Sequence, residues 1–233
     1  MSATTREGYG GTGPGVRTPD GCSVDLYRRL PVGDEPDIIA GAVPAGARLL
    51  ELGCGAGRVT RPLVANGFAV TAVDESPEML EAVGQIPGVR TVRSSIETLD
   101  LGETFDVVML ASFLVHFADP KVSAEMLRVC RRHVTDDGCV LIQREGLDWH
   151  TDLPRERDNG AGGIVRIKSA APAADGFDTL FCEYVYPDAT WTQTFRSRPL
   201  AKEEFEHELA EAGLKVDKYL TDDGIWVRAL PQR

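Results

Sequence analysis

The 233-residue chain has no run of about 18 apolar residues, so no segment reads as a transmembrane helix. Its start, Met1 to Asp20, is rich in Gly, Thr and Pro and has no apolar core, which excludes a secretory signal and leaves a cytoplasmic protein as the expectation. Positive charge is scarce: 25 Lys and Arg stand against 36 Asp and Glu, a formal net charge of −11. Such a surface repels phosphate backbones and anionic lipid, so nucleic acid and membranes are excluded as main partners and a small molecule is left. The five cysteines (22, 54, 130, 139, 182) contain no C-x-x-C pair. An odd, scattered set excludes a disulfide framework and fits free thiols in a reducing compartment. Histidine is also rare, with four in the chain. Without a second His cluster, Asp148, His150 and Asp152 do not make a metal site, and no metal is expected. No internal repeat is present.

What the chain does have is 42% hydrophobic residues, ample for a core, and one stretch around which the rest is organised. Leu49-Leu50-Glu51-Leu52-Gly53-Cys54-Gly55-Ala56-Gly57 is a short apolar run ending in an acid, followed by three glycines at every second position. Ala47 to Leu52 has the composition of a buried parallel strand. The glycines give a turn without Cβ atoms, against which a ligand can lie. A helix follows through Pro62-Leu63-Val64. The dinucleotide pattern G-x-G-x-x-G would need a glycine at position 58, where Arg58 stands.

A second apolar strand, Ala69 to Asp74, ends in an acid 17 residues after Gly57, a distance that fits a strand–helix–strand unit. Its carboxylate falls beside the glycine turn, where it can accept both hydroxyls of a ribose. Ser76-Pro77-Glu78 reads as N-cap, first-turn proline and first-turn acid. The third strand is expected over Val89–Ser94. The fourth is Phe105 to Ala111, running on into Ser112-Phe113-Leu114-Val115-His116-Phe117. An amphipathic helix over Val122–His133 and a fifth strand over Gly138–Gln143 complete the alternation.

Taken in order, Glu51-Leu-Gly53-x-Gly55-x-Gly57, Asp74-Glu75-Ser76-Pro77-Glu78-Met79, the Ser95-Ile96-Glu97 loop and Ala111 to Asp119 resemble the motifs of the class I S-adenosylmethionine-dependent methyltransferases. The resemblance covers Leu49 to Gln143. It implies an α/β, Rossmann-like, doubly wound seven-stranded sheet, order 3-2-1-4-5-7-6, with the last strand antiparallel. It implies S-adenosylmethionine as cofactor, held by Glu51, Gly53, Gly55, Gly57, Asp74, Glu75, Met79, Ser95, Ile96, Glu97, Ala111 and His116. Tyr27 joins this set, because related enzymes often carry a Tyr in the helix before the glycine motif. The family usually places an Asp in the third loop to accept from the adenine amino group. Ser95 stands there, so Ser95 with the Ile96 backbone, or Glu97, takes that contact.

The remaining chain reads as elaboration. Residues 1–22 are expected to be flexible, 23–233 to form one methyltransferase domain, and 145–199 to be an insertion that covers the substrate. Ser23 to Leu30 and Asp34 to Ala42 read as helices. Within the insertion, Asp148-Trp149-His150 and Asp158 to Gly163 read as loop. Gly163–Lys168, Asp178–Tyr186 and Thr190–Arg196 alternate as strands of a two- or three-stranded antiparallel flap. Lys202–Ala212 reads as a helix, then Leu214–Leu220 and Ile225–Leu230 as a hairpin.

The implied chemistry is in-line displacement at carbon, which needs an aligned acceptor and no nucleophilic side chain or metal. Candidate bases are His116, Glu145 and His150; His116 also has a reading as a turn-stabilising residue. Arg144, Arg196 and Arg198 can bind a carboxylate, or form surface salt bridges. The expected activity is methyl transfer to oxygen, nitrogen or carbon of a small metabolite. The alternatives are an NAD(P)-dependent oxidoreductase and a non-catalytic cofactor-binding protein. The acceptor and the oligomeric state, a homodimer included, stay open.

Overall fold

In the computed structural model, which describes residues 5–146, 148–173 and 176–232, strands and helices alternate over the first two thirds of the chain. In order come β1 (Gly10–Thr12), α1 (Val24–Tyr27), α2 (Glu35–Ala42), β2 (Arg48–Leu52), α3 (Thr60–Ala65), β3 (Ala69–Asp74), α4 (Pro77–Val83), β4 (Arg90–Arg93), β5 (Phe105–Leu110), α5 (Pro120–His133) and β6 (Val134–Gln143). Then follow β7 (Arg155–Asp158), β8 (Ile164–Pro172), β9 (Asp178–Val185), β10 (Thr190–Ser197), α6 (Lys202–Glu211), β11 (Leu214–Tyr219) and β12 (Trp226–Pro231). Single 3-10 turns occupy Ile96–Thr98 and Leu114–His116. The chain divides into two units, Gly33–Gly146 with Leu200–Arg233, and Met1–Val32 with Leu147–Pro199.

The first unit is built on a seven-stranded sheet of order β11-β12-β6-β5-β2-β3-β4. Numbering its strands along the chain from β2 as the first, this is the expected 3-2-1-4-5-7-6 read from the other edge. β2 to β6 are parallel, and β12 runs antiparallel to both β6 and β11. Alternate residues of each strand enter opposite cores. Leu50, Leu52, Val108, Leu110 and Ile142 pack with Met126 and Leu127 of α5 and Phe205 and Leu209 of α6. Leu49, Val107, Met109 and Leu141 pack with Ile39, Leu63 and Val83 of α2, α3 and α4. Both faces are covered, so the central strands are apolar throughout rather than alternating. Truncating Leu50 or Leu141, both without exposed surface, to Ala costs about 2–5 kcal/mol.

Local signals start these helices. Ser76 accepts from the Met79 N–H ahead of Pro77 in α4. Asp119 accepts from the Lys121 N–H ahead of Pro120 in α5, whose last turn carries Arg131, Arg132 and His133. The basic residues sit where the helix dipole favours them.

The second unit differs from the expected flap. Its antiparallel sheet has five strands, order β1-β10-β9-β8-β7. The additions are β7, whose Arg-Glu-Arg-Asp sequence carries no strand signal, and β1, a Gly-Gly-Thr segment that registers Gly11 against Gln193 of β10. Residues from Thr5 onward in the stretch expected to be flexible make the following hydrogen bonds. Arg6 N donates to Pro19 O, Thr18 N to Cys22 O, and the Trp191 indole to Pro14 O. Residues 1–4 lie outside the described ones. The single-domain boundaries expected at 22/23, 145 and 199 become 32/33, 146/147 and 199/200 in this division. Its small cores hold Leu26, Tyr186 and Trp191, and Ile167, Leu180 and Cys182.

Candidate cofactor site

The register of the seven-stranded sheet brings the candidate residues to one edge. Leu52 pairs with Val73 on one side and Leu110 on the other, and Leu110 pairs with Ile142. Gly53, Asp74, Ala111 and Gln143 thus leave the sheet side by side at its carboxyl end. The chain builds outward from β2 through β3 to β4, then returns to add β5 and β6 on the other flank. The switch point lies between β2 and β5, where open α/β sheets bind ligands.

The glycine turn is anchored on β3. Gly53 N and Cys54 N both donate to Val73 O at 2.9 Å, and Gly57 N donates to Cys54 O at 3.1 Å. Gly53, Gly55 and Gly57 have φ of +72°, +54° and +83°, a region that side chains disfavour. A Cβ on Gly53 would stand 2.8 Å from Leu114 Cδ1, so the backbone there is closely covered. Asp74 does two jobs in the fold. Its Oδ2 accepts from Gly55 N at 2.8 Å and its Oδ1 from Ser76 N at 2.9 Å. A carboxylate can accept about four hydrogen bonds, so this bridging role is compatible with ribose recognition.

Glu51 is 3% exposed and accepts from the Thr60 hydroxyl at 2.6 Å. Burial raises its pKa to about 7, against the smaller opposing pulls of the Thr60 hydrogen bond and Arg58. Arg58 ion-pairs with Glu35 at 2.5 Å, and Glu35 also accepts from Gly33 N. The residue in the third dinucleotide position is therefore committed to the start of α2. Met79 and Ile96 are buried, and Glu75 and Glu97 are half-buried. The Ser95 hydroxyl pairs with the Thr98 hydroxyl at 2.8 Å inside its own 3-10 turn.

Beyond β5 the chain enters a strained turn. Ser112 and Phe113 have φ of +55° and +64°, each conformation costing about 1–3 kcal/mol for a non-glycine residue. Ser112 N donates to the Gln143 side chain at 2.8 Å, and Ser123 donates to Val115 O. His116 is 3% exposed. Its Nε2 accepts from Glu145 N at 3.0 Å, and its Nδ1 lies 3.4 Å from Glu145 Oε2. The structure thus brings two of the three candidate bases together. In it the His116 ring is buried and both of its nitrogens face Glu145.

The other candidates belong to the second unit. His150 Nδ1 lies 2.6 Å from Asp178 Oδ2 and its Nε2 3.4 Å from Ser197 Oγ, tying the 148–151 turn to β9 and β10. The Tyr27 hydroxyl accepts from the Cys22 thiol at 3.0 Å, and burial, before all else, raises its pKa. Arg144 is not at the surface. Its Nη2 donates to Leu200 O at 2.8 Å and its guanidinium stacks 4.4 Å over Phe205, while burial lowers its pKa. Sequence reasoning missed Thr60, Gln143, Leu114 and the His116–Glu145 pair. For the last, the expected adjacency of the fourth and fifth strands was the available signal.

The sheet order, the switch point and the acid-bearing glycine turn define a Rossmann-like fold of the methyltransferase type. Residues 49–138 match the methyltransferase domain family. A ubiquinone biosynthesis O-methyltransferase from Caulobacter sp. is 32% identical over 104 residues, 42% of this chain and 40% of the relative. An uncharacterized methyltransferase from Mycobacterium bovis is 33% identical over 150 residues, 63% of this chain and 56% of the relative. The chain thus spans about half the length of the curated relatives it matches. Among solved structures, a methyltransferase from Streptomyces caelestis superposes with a TM-score of 0.71 at 18% identity, covering 90% of this chain and 96% of that one. An amino pentose methyltransferase from Micromonospora echinaspora superposes with 0.67 at 21%, covering 89% and 95%.

Proposed function

We propose that the seven-stranded unit binds S-adenosylmethionine and that the protein transfers its methyl group to an oxygen or nitrogen of a small molecule. The observation that carries this reading is Asp74, an acid at the end of β3 whose carboxylate is hydrogen-bonded to the middle glycine of the turn after β2. The residues fit the cofactor by their own chemistry. Gly53, Gly55 and Gly57 supply backbone without Cβ atoms, Asp74 supplies acceptors for ribose hydroxyls, and Ile96 supplies an apolar contact for adenine with Ser95 or Glu97 beside it. Glu51, Glu75, Met79 and Ala111 complete the set. The cofactor, when bound, supplies an electrophilic methyl on a sulfonium. The protein's part is to hold that methyl in line with an acceptor and to keep water away.

Relatives named for ubiquinone biosynthesis and for an amino pentose support an oxygen or nitrogen acceptor. We assign acceptor choice to the five-stranded unit, with Tyr27 and the His150–Asp178 pair as its candidate residues. No helix among the described residues is long and apolar enough to cross a membrane, and the five cysteines are thiols, which fits a reducing cytoplasm. The test is incubation with S-adenosylmethionine and a panel of amino sugars and phenols, scored for S-adenosylhomocysteine. Product above the acceptor-free control supports methyl transfer. Binding of S-adenosylhomocysteine without turnover across the panel supports a cofactor-binding protein instead.

A further inference from the structure

His116 is the one histidine at the carboxyl edge of the seven-stranded sheet, and its hydrogen bonds dictate its protonation. A backbone N–H only donates. The Glu145 amide at 3.0 Å therefore requires a lone pair on His116 Nε2, which puts the ring proton on Nδ1, facing Glu145 Oε2. An imidazolium would set a second N–H against that amide. In this arrangement the ring cannot accept a proton from a substrate.

The same bond closes a clasp. The turn from Ala111 to Phe117 contains two left-handed residues, Ser112 and Phe113, and is tied down at three points. Gln143 holds Ser112 N, Ser123 holds Val115 O, and Glu145 holds the His116 ring. Between these ties stands Leu114, whose Cδ1 would lie 2.8 Å from a Cβ on Gly53 and so packs close to the glycine turn. Any shift of the turn is therefore felt by the glycine backbone.

We propose that His116 is a positioning residue, fixed as its Nδ1–H tautomer, that sets Leu114 against Gly53 and so governs cofactor affinity instead of taking the acceptor's proton. The affinity part rests on the cofactor reading above; the clasp itself does not. Two measurements separate them. Long-range proton–nitrogen NMR on the full chain with 15N-labelled histidine, at about pH 8, reads the tautomer, with His116→Leu assigning the signal. His116 as Nδ1–H supports the proposal, whereas Nε2–H, the form favoured by free histidine, overturns it. Calorimetry with S-adenosylhomocysteine reads the consequence. We expect His116→Leu to bind about tenfold more weakly or worse, and His116→Gln, whose Oε1 can reach the Glu145 amide, to stay within about threefold of wild type. Equal affinity of wild type and His116→Leu overturns the proposal. Should wild type itself not bind, the cofactor reading fails, and with it the affinity part. Faster amide exchange at Ser112 in His116→Leu still supports the clasp, and unchanged exchange overturns it.

Discussion

In the seven-stranded sheet, β2 and β5 each bury all but one residue; in the five-stranded sheet, β8 and β9 bury about every second residue of part of their length. The first sheet is sandwiched by helices and held by aliphatic packing. The second keeps its cores small and relies more on side-chain pairing, such as Thr12 with Thr192, Arg29 with Asp188, Asn159 with Tyr186 and His150 with Asp178. A frame of the first kind fixes a glycine turn to within a hydrogen bond of a carboxylate. A sheet of the second kind leaves more of its side chains half-exposed and polar.

The comparison breaks first at Trp191. This side chain is 1% exposed, meets Tyr186 edge-on at 5.8 Å and donates to Pro14 O. Trp191→Ala should cost about 3–5 kcal/mol. Amide exchange should quicken in β1, β9 and β10 while β2, β5 and β6 keep their protection. Equal loss in both sheets would contradict separate cores. Gly53→Val should cost about 3 kcal/mol, from a left-handed branched residue and the Leu114 clash. Chemical denaturation measures it against Gly162→Ala, where φ is also positive but nothing lies within 4 Å; that change should cost about 1 kcal/mol.

Glu51 sharpens the comparison through pH. Its folded pKa of about 7 lies above the ordinary 4.5. Between those values the unfolded chain releases the proton first, so stability falls as pH rises, and the loss is complete above about 7. The gap corresponds to on the order of 3 kcal/mol. Glu51→Gln, which keeps an acceptor for Thr60, should raise the melting temperature at about pH 8 and have little effect at about pH 3.5, below the unfolded value. A pH-independent difference would contradict a buried, titrating carboxyl. The smallest effect belongs to the exposed Arg29–Asp188 pair, 40% and 61% accessible. Asp188→Asn should change stability by less than about 1 kcal/mol by denaturant titration.

Legibility in the sequence follows the same division. β3 was readable to the residue at Ala69–Asp74, because a branched apolar run between Gly67 and a Ser-Pro helix start admits one strand. β7 was not, since Arg155–Asp158 is an edge strand with one neighbour and mostly exposed side chains, and no burial writes a pattern into it. β1 is specified by its partner β10, not by its own Gly-Gly-Thr. α1 is shorter than Ser23–Leu30, ending at Tyr27. In the site, the glycines and Asp74 were legible because each sits at a strand end. The His116–Glu145 pair was not, because 29 residues separate its members and only the β5–β6 pairing joins them.

The central claim is that the turn after β2 and the carboxylate of Asp74 form one adenosyl site. Isothermal titration of the full chain with S-adenosylhomocysteine, beside NADH and beside Asp74→Ala, tests it most directly. The account predicts saturable binding of S-adenosylhomocysteine, no binding of NADH, and affinity about ten- to hundred-fold weaker in Asp74→Ala. Tight binding of NADH, or S-adenosylhomocysteine affinity unchanged by Asp74→Ala, would contradict it.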